Sequence, residues 1–341
     1  MSPTVRRRRV VAGLPVLAVI IVVVVVVVVV VHGPSGPRSA GHAAAGPAHT
    51  PAVAGATPAT APATAPATAP ATAPSSDPPL RGLPVTLGTM ALVDTGRPVT
   101  SGGAVLADER ALPTDVWSPT GGGPYPLVVF VHGYDMGPLD YARFCSTLAA
   151  SGYVVAAPSF PLEDPARGFP LDRTHLADEA GDVSFTITSL EQRAASLDLV
   201  PGAVAVVGHS DGADVALLVA YGPGTVDDRV QATVADAPDP LPADPAPSTV
   251  PLLLVQGTDD SVVPYASSRA VFDELGAPVV YLSLVGADHL PPITGGTLWT
   301  PVLDTAVARF LDATVAHRGP GPGTLAAQVA DPPLATAQDK A

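Results

Sequence analysis

Apolar residues in this chain gather into short unbroken runs set apart by turns rich in glycine, proline and aspartate. Leu127–Val131, Tyr153–Ala157, Ala203–Val207, Val230–Ala235, Pro251–Gln256 and Val279–Val285 are runs of the kind that strands carry when both faces of a parallel sheet are covered. Between them lie stretches with helical spacing: Leu139–Ser151, Asp182–Asp198, Ala213–Ala220, Ala266–Leu275 and Val302–Val315. In the second of these, Val183, Ile187, Leu190, Ala194 and Leu197 share one face. Two earlier segments, Pro84–Val93 and Ala111–Trp117, alternate as antiparallel strands do and precede a turn at Gly121-Gly122-Gly123-Pro124. Strand and helix in alternation, after an antiparallel start, predict an α/β domain with a mostly parallel, doubly wound sheet and helices on both faces. Ligands bind such sheets at the carboxyl ends of their strands. Ser159–Ala180 shows no period and is the segment expected to form a loop over that end.

The first part of the chain reads differently. Arg6 to Arg9 precede an apolar run from Val10 to Val31, about 22 residues, long enough to span a bilayer core of roughly 30 Å. A cleaved signal peptide carries an apolar region of only about 7–15 residues. The expectation is therefore an uncleaved transmembrane anchor at residues 10–31, with residues 1–9 cytoplasmic and the rest outside the cell membrane. The alternative, an export signal cut near Ala40 to Ala45, gives a secreted protein with the same exposure. Residues 32–79 are proline, alanine, threonine, glycine and serine, with an Ala-Thr-Ala-Pro unit repeated between about Ala59 and Pro74, and read as an extended linker. The globular domain is expected at 80–318, and 319–341 as a disordered tail.

Charge narrows the choice of partners. There are 17 basic against 31 acidic residues, a formal net charge of −14, so a polyanion such as nucleic acid is excluded as a natural partner. A single cysteine, Cys145, forbids an internal disulfide and sits in a helical stretch as a small apolar residue.

The chemistry concentrates at Gly208-His209-Ser210-Asp211-Gly212, which joins the run Ala203–Val207 to the helical Ala213–Ala220. Strand, five-residue turn and helix are the context of a Gly-x-Ser-x-Gly nucleophile elbow, in which a side chain two residues either side of the serine would strike its surroundings. A serine hydroxyl needs a base, and the base needs an orienting acid. Downstream of Ser210 only His289 and His317 exist, and His289 leaves the last core strand where a base belongs. The acid should leave the strand before it. Asp260 fits a Gly-x-x-Asp-x-x-Val-Pro loop at Gly257–Pro264, with Asp259 and Asp236 as the alternatives. Two backbone N–H groups should meet the oxyanion, those of Asp211 at the helix start and Tyr134 in His132-Gly133-Tyr134. His132 and His209 are expected to pack rather than react.

Arg110-Ala111-Leu112-Pro113 with Val116-Trp117-Ser118-Pro119, Val131–Tyr134, Ser151–Pro158, the elbow and Asp288-His289 together resemble the α/β-hydrolase superfamily. Within it the likeness is to bacterial dienelactone-hydrolase-like, platelet-activating-factor-acetylhydrolase-like and polyester-hydrolase-like serine esterases, over about Arg110 to Phe310. The resemblance implies a Ser210–Asp260–His289 triad and no cofactor. Ser210 stands where dienelactone hydrolases carry cysteine, and Asp211 where many polyester hydrolases carry methionine. The expected activity is hydrolysis of a small-molecule or lipid carboxylic ester through an acyl-enzyme. A peptidase or acyltransferase on the same triad, or a surface binding module without activity, are the alternatives.

Overall fold

Val128 and Phe130 point into one apolar core while Leu127, Val129 and Val131 point into another, so the continuous run they form is buried from both sides. That alternation recurs at Ala205 and Val207 against Val204 and Val206, and it is why the centre of the sheet needs helices on each face. The structure, a computed structural model, describes residues 80–241, 244–276, 278–319 and 324–340. The anchor and linker expected at 10–31 and 32–79 lie outside the described residues. Among the described residues no helix is long and apolar enough to cross a membrane.

In chain order the elements are β1 (Val85–Asp94), β2 (Val99–Ser101), β3 (Ala104–Ala107), β4 (Arg110–Pro119), β5 (Tyr125–Val131), α1 (Ala142–Ala150), β6 (Val154–Pro158), α2 (Leu176–Glu191), α3 (Ala194–Leu197) and β7 (Leu199–His209). They continue with α4 (Asp211–Tyr221), β8 (Val230–Asp236), β9 (Leu252–Gly257), α5 (Tyr265–Glu274), β10 (Val279–Leu284), α6 (Pro291–Thr294), α7 (Thr300–Thr314), α8 (Leu325–Val329) and β11 (Ala335–Lys340). The main sheet has nine strands in the order β1-β4-β6-β5-β7-β8-β9-β10-β11. From β6 to β10 the pairings are parallel, and β1, β4 and β11 are antiparallel to their neighbours. The expected mixed, mostly parallel α/β architecture is present, with the separate β2–β3 hairpin as an addition.

One core holds the sheet against α1, α7 and α8 through Phe144, Leu148, Leu303, Phe310, Leu311, Leu325 and Val329. On the other face Val183, Ile187 and Leu190 of α2 and Val215 and Val219 of α4 cover it. Cys145 is buried in the first core, and burial raises its thiol well above its ordinary value.

Two expectations are corrected. Helix α2 begins at Leu176, inside the segment read as a loop to Ala180. Asp172 accepts the N–H of Thr174 at 3.1 Å and starts a turn that runs straight into the helix. The apolar period was hidden because Glu179 and Asp182 occupy buried positions. The tail expected to be disordered instead forms α8 and β11, and β11 pairs with β10 from Leu284↔Ala335 to Val279↔Lys340. Leu325 and Val329, one helical turn apart, give α8 its buried side, and Lys340 donates through Nζ to the carbonyls of Phe272 and Asp273 at 2.7 and 2.8 Å, closing the end of α5.

Candidate active site

The parallel strands finish in register: Val131 lies beside Gly208, His209 beside Asp236 and Gly257 beside Leu284. The loops that leave β5, β7, β8, β9 and β10 therefore open on one rim, and they carry Tyr134, Ser210, Asp236, Asp260 and His289. His317 is elsewhere. It lines a cavity of about 530 Å³ with Val230 and Pro251, at the amino ends of β8 and β9.

Ser210 has φ 58° and ψ −129°, a backbone conformation that L residues rarely adopt and that needs its surroundings to hold it. Its N–H donates to the Asp236 carbonyl at 2.9 Å, tying the bend to β8. The glycines on either side are required by close approach. A Cβ on Gly208 would overlap the Gly212 carbonyl, and one on Gly212 would overlap the Val131 carbonyl. The loop that carries Tyr134 is also near: a Cβ on Gly133 would stand 3.0 Å from the Ser210 Cβ and 3.2 Å from the His209 carbonyl oxygen. Asp211 supplies the first amide of α4, which has no acceptor in its own helix.

Of the three aspartates considered as the acid, Asp260 meets His289. Its Oδ2 is 2.8 Å from Nδ1 of that ring, and the Asp260 side chain is 1% exposed. The same oxygen accepts from Nε2 of Gln256 at 2.8 Å, while Oδ1 accepts the backbone N–H groups of Val262 and Val263 at 2.9 and 2.8 Å. Four hydrogen bonds hold this carboxylate in one orientation, and an acceptor at Nδ1 keeps that nitrogen protonated, leaving Nε2 as the basic site. Asp259 is exposed and its carboxylate meets Thr258, one residue away. Asp236 is buried with Oδ2 unpartnered, and burial, with the charge of Asp260, raises its carboxyl well above the usual range.

The two histidines expected to pack do so. His132 is fully buried, with Nδ1 3.1 Å from the Gly133 carbonyl and Nε2 accepting the Phe160 N–H at 3.2 Å. His209 donates from Nε2 to the His289 carbonyl at 3.2 Å, and its Nδ1 lies 3.0 Å from the Tyr141 hydroxyl. Burial pushes His209 down to about 3, so it stays neutral and serves as a prop under His289.

Three residues at this rim were missed in the sequence. Tyr141 accepts the Gly133 N–H at 3.3 Å and so connects the loop after β5 to His209. Gln256 orients Asp260; a polar residue near the end of an otherwise apolar strand was its only sequence mark. Arg173 grips the Asp211 carboxylate from Nε at 3.0 Å and Nη2 at 2.5 Å. Tyr134 is 40% exposed. Among the described residues no group of three or more His, Cys, Asp or Glu is arranged to hold a metal ion.

A family model described as chlorophyllase matches residues 104–242, from β3 to just beyond β8, a stretch that contains Tyr134, Ser210 and Asp211. No curated protein matches the chain. Sheet order, elbow and family match point the same way: over residues 104–242 the chain is similar to a family of α/β-hydrolase serine esterases.

Proposed function

We propose that the domain hydrolyses carboxylic esters through an acyl-enzyme on Ser210. His289 Nε2 takes the hydroxyl proton as Oγ attacks the ester carbonyl, and the N–H groups of Tyr134 and Asp211 bind the resulting oxyanion. Collapse of the tetrahedral intermediate expels the alcohol, which receives the proton from His289. Water, deprotonated by the same imidazole, then attacks the acyl-enzyme, and the carboxylic acid leaves with Ser210 restored. Asp260 keeps His289 in the tautomer and position this cycle needs. The observation that carries the reading is the 2.8 Å contact of Asp260 with His289 on the rim where Ser210 is held at φ 58°. The chlorophyllase likeness supports ester chemistry. A net charge of −14 favours uncharged over anionic esters, whether small molecules or lipids. The arginine cluster and the apolar run to Val31 support placing the domain outside the cell membrane, on an anchor.

Fluorophosphonate labelling tests the nucleophile. The wild-type protein should be labelled and Ser210→Ala should not, while turnover of an ester over the matching amide, with and without an acceptor alcohol, separates esterase from peptidase and acyltransferase. Equal labelling of both proteins, or none of either, overturns the proposal.

A further inference from the structure

Asp211 follows the nucleophile directly, and its carboxylate is a hazard to the chemistry proposed above. Covalent geometry alone keeps a side-chain carboxylate within about 5 Å of its own amide nitrogen. If that amide binds the oxyanion, two negative charges approach each other in a site where Asp211 is only 3% exposed and screening by water is weak. An acidic residue in the first turn stabilises α4 through the helix dipole, so the same charge helps the fold and opposes the transition state.

The Asp211 carboxylate has one hydrogen-bonding cation among the described residues. Arg173, in the turn that leads into α2, donates from Nε to Oδ2 at 3.0 Å and from Nη2 to Oδ1 at 2.5 Å, a two-pronged pair that uses both carboxylate oxygens. A second carboxylate, Asp239, lies 3.5 Å from Nη2, and its N–H donates to Asp214 Oδ1 at 2.7 Å. Beneath them Glu163 is completely buried with neither carboxyl oxygen hydrogen-bonded. Acidic groups thus surround Arg173, and its guanidinium balances the one nearest the nucleophile.

We propose that Arg173 is a positioning residue for ester hydrolysis, cancelling the Asp211 charge so that the Asp211 amide can receive an oxyanion. This rests on the assignment of Ser210 as nucleophile. The pair also fixes the segment between β6 and α2 against α4, and the two effects separate in a double variant, because removing Arg173 releases the segment whether or not Asp211 keeps its charge.

The test compares kcat and KM for a short, uncharged acyl ester among the full-length wild type, Arg173→Met, Arg173→Lys and the double variant Arg173→Met/Asp211→Asn, with fluorophosphonate labelling in parallel. Arg173→Met should lose kcat by roughly 10- to 100-fold, as expected for an uncompensated charge beside an oxyanion, with KM within about threefold. Arg173→Lys should retain more than Arg173→Met does, because it keeps the charge, and the double variant should recover to within about fivefold of the wild type. If Arg173→Met does not fold, Arg173→Gln, which keeps donors and loses charge, carries the same expectation. A double variant no more active than the single one, or wild-type kcat in Arg173→Met, overturns the proposal. Absence of Ser210-dependent labelling in the wild type marks the nucleophile assignment as the failure, and this proposal falls with it.

Discussion

Ser210 stands between two flanks that manage negative charge in opposite ways. Toward β9 and β10, Asp260 accepts hydrogen bonds from an imidazole, an amide side chain and two backbone N–H groups, so its charge is held by donors on four sides. Toward α2, Glu163 and Glu179 are buried with all four carboxyl oxygens unpartnered. Burial, reinforced by the neighbouring acids, pushes Glu163 up to about 8 and Glu179 well above the usual carboxylate range. Asp214, half-buried on α4 nearby and accepting the Asp239 N–H, is likewise pushed up to about 8 by desolvation. The contrast is one of donor supply. Where the chain provides N–H groups a carboxylate is fixed in one orientation, and where it provides few the buried acids are pushed above the usual carboxylate range.

The largest effect should come from the donor-rich flank. Asp260→Asn can turn its NH₂ toward Nδ1 of His289, which forces the ring proton onto Nε2 and removes the base. A loss in kcat of roughly 10³- to 10⁴-fold is expected with little change in KM. Asp236→Asn is the sharper half of the comparison, since a carboxyl with Oδ2 unpartnered and raised well above the usual range by burial should be replaceable by its amide with kcat kept within about threefold. Steady-state kinetics on the two variants checks both, and a greater loss in Asp236→Asn would transfer the role of orienting acid to that residue.

On the donor-poor flank the next effect is on stability. Arg110, 1% exposed, grips Asp182 from Nε at 2.7 Å and Nη2 at 2.5 Å, with Arg97 adding a contact at 2.6 Å. Arg110→Met leaves a buried carboxylate with the half-exposed Arg97 alone, and should cost about 3 kcal/mol of unfolding free energy, the lower end of what breaking a buried pair removes. Urea unfolding with an unchanged slope is the measurement.

The two flanks also differ in how far they could be read without coordinates. On the β9–β10 side, Asp260 and His289 follow strands whose unbroken apolar runs mark where they end, so loop position and residue type narrowed the acid to Asp260, Asp259 and Asp236, and the contact with His289 is made by the first. The glycines of the elbow were equally legible, because a tight bend between strand and helix has few solutions. On the α2 side, polar residues do structural duty in the interior: Glu179 and Asp182 interrupt the apolar period of α2 and concealed its first turns. Arg173 and Asp211 are 38 residues apart, and no periodicity connects an exposed arginine to a buried aspartate. Tyr141 was counted as helix and not as a hydroxyl between two loops. The tail failed for another reason, since α8 buries just two large apolar side chains, Leu325 and Val329, and β11 is ordered by the free edge of β10.

The smallest predicted effect asks whether the donor-poor flank pays for its buried protons. Glu163 holds its proton to about pH 8 in the folded protein, against an ordinary value of 4.5. Between these values the unfolded chain has released the proton and the folded one has not, so folding takes up a proton and stability falls as pH rises. The stabilising contribution is complete below about pH 4.5, declines through the window up to about pH 8, and is gone above it. Asp214, with a value of about 8, adds to the same slope over the window that starts at 3.8. Glu163→Gln removes one of these titrations and leaves a neutral group of the same shape, so the melting temperature should decline less steeply between pH 5 and pH 8.5, by roughly a few degrees over that range, and the variant should be the more stable protein at the alkaline end. Parallel pH profiles of wild type and variant would mean that Glu163 finds donors after all, and that the two flanks differ less than their hydrogen bonds indicate.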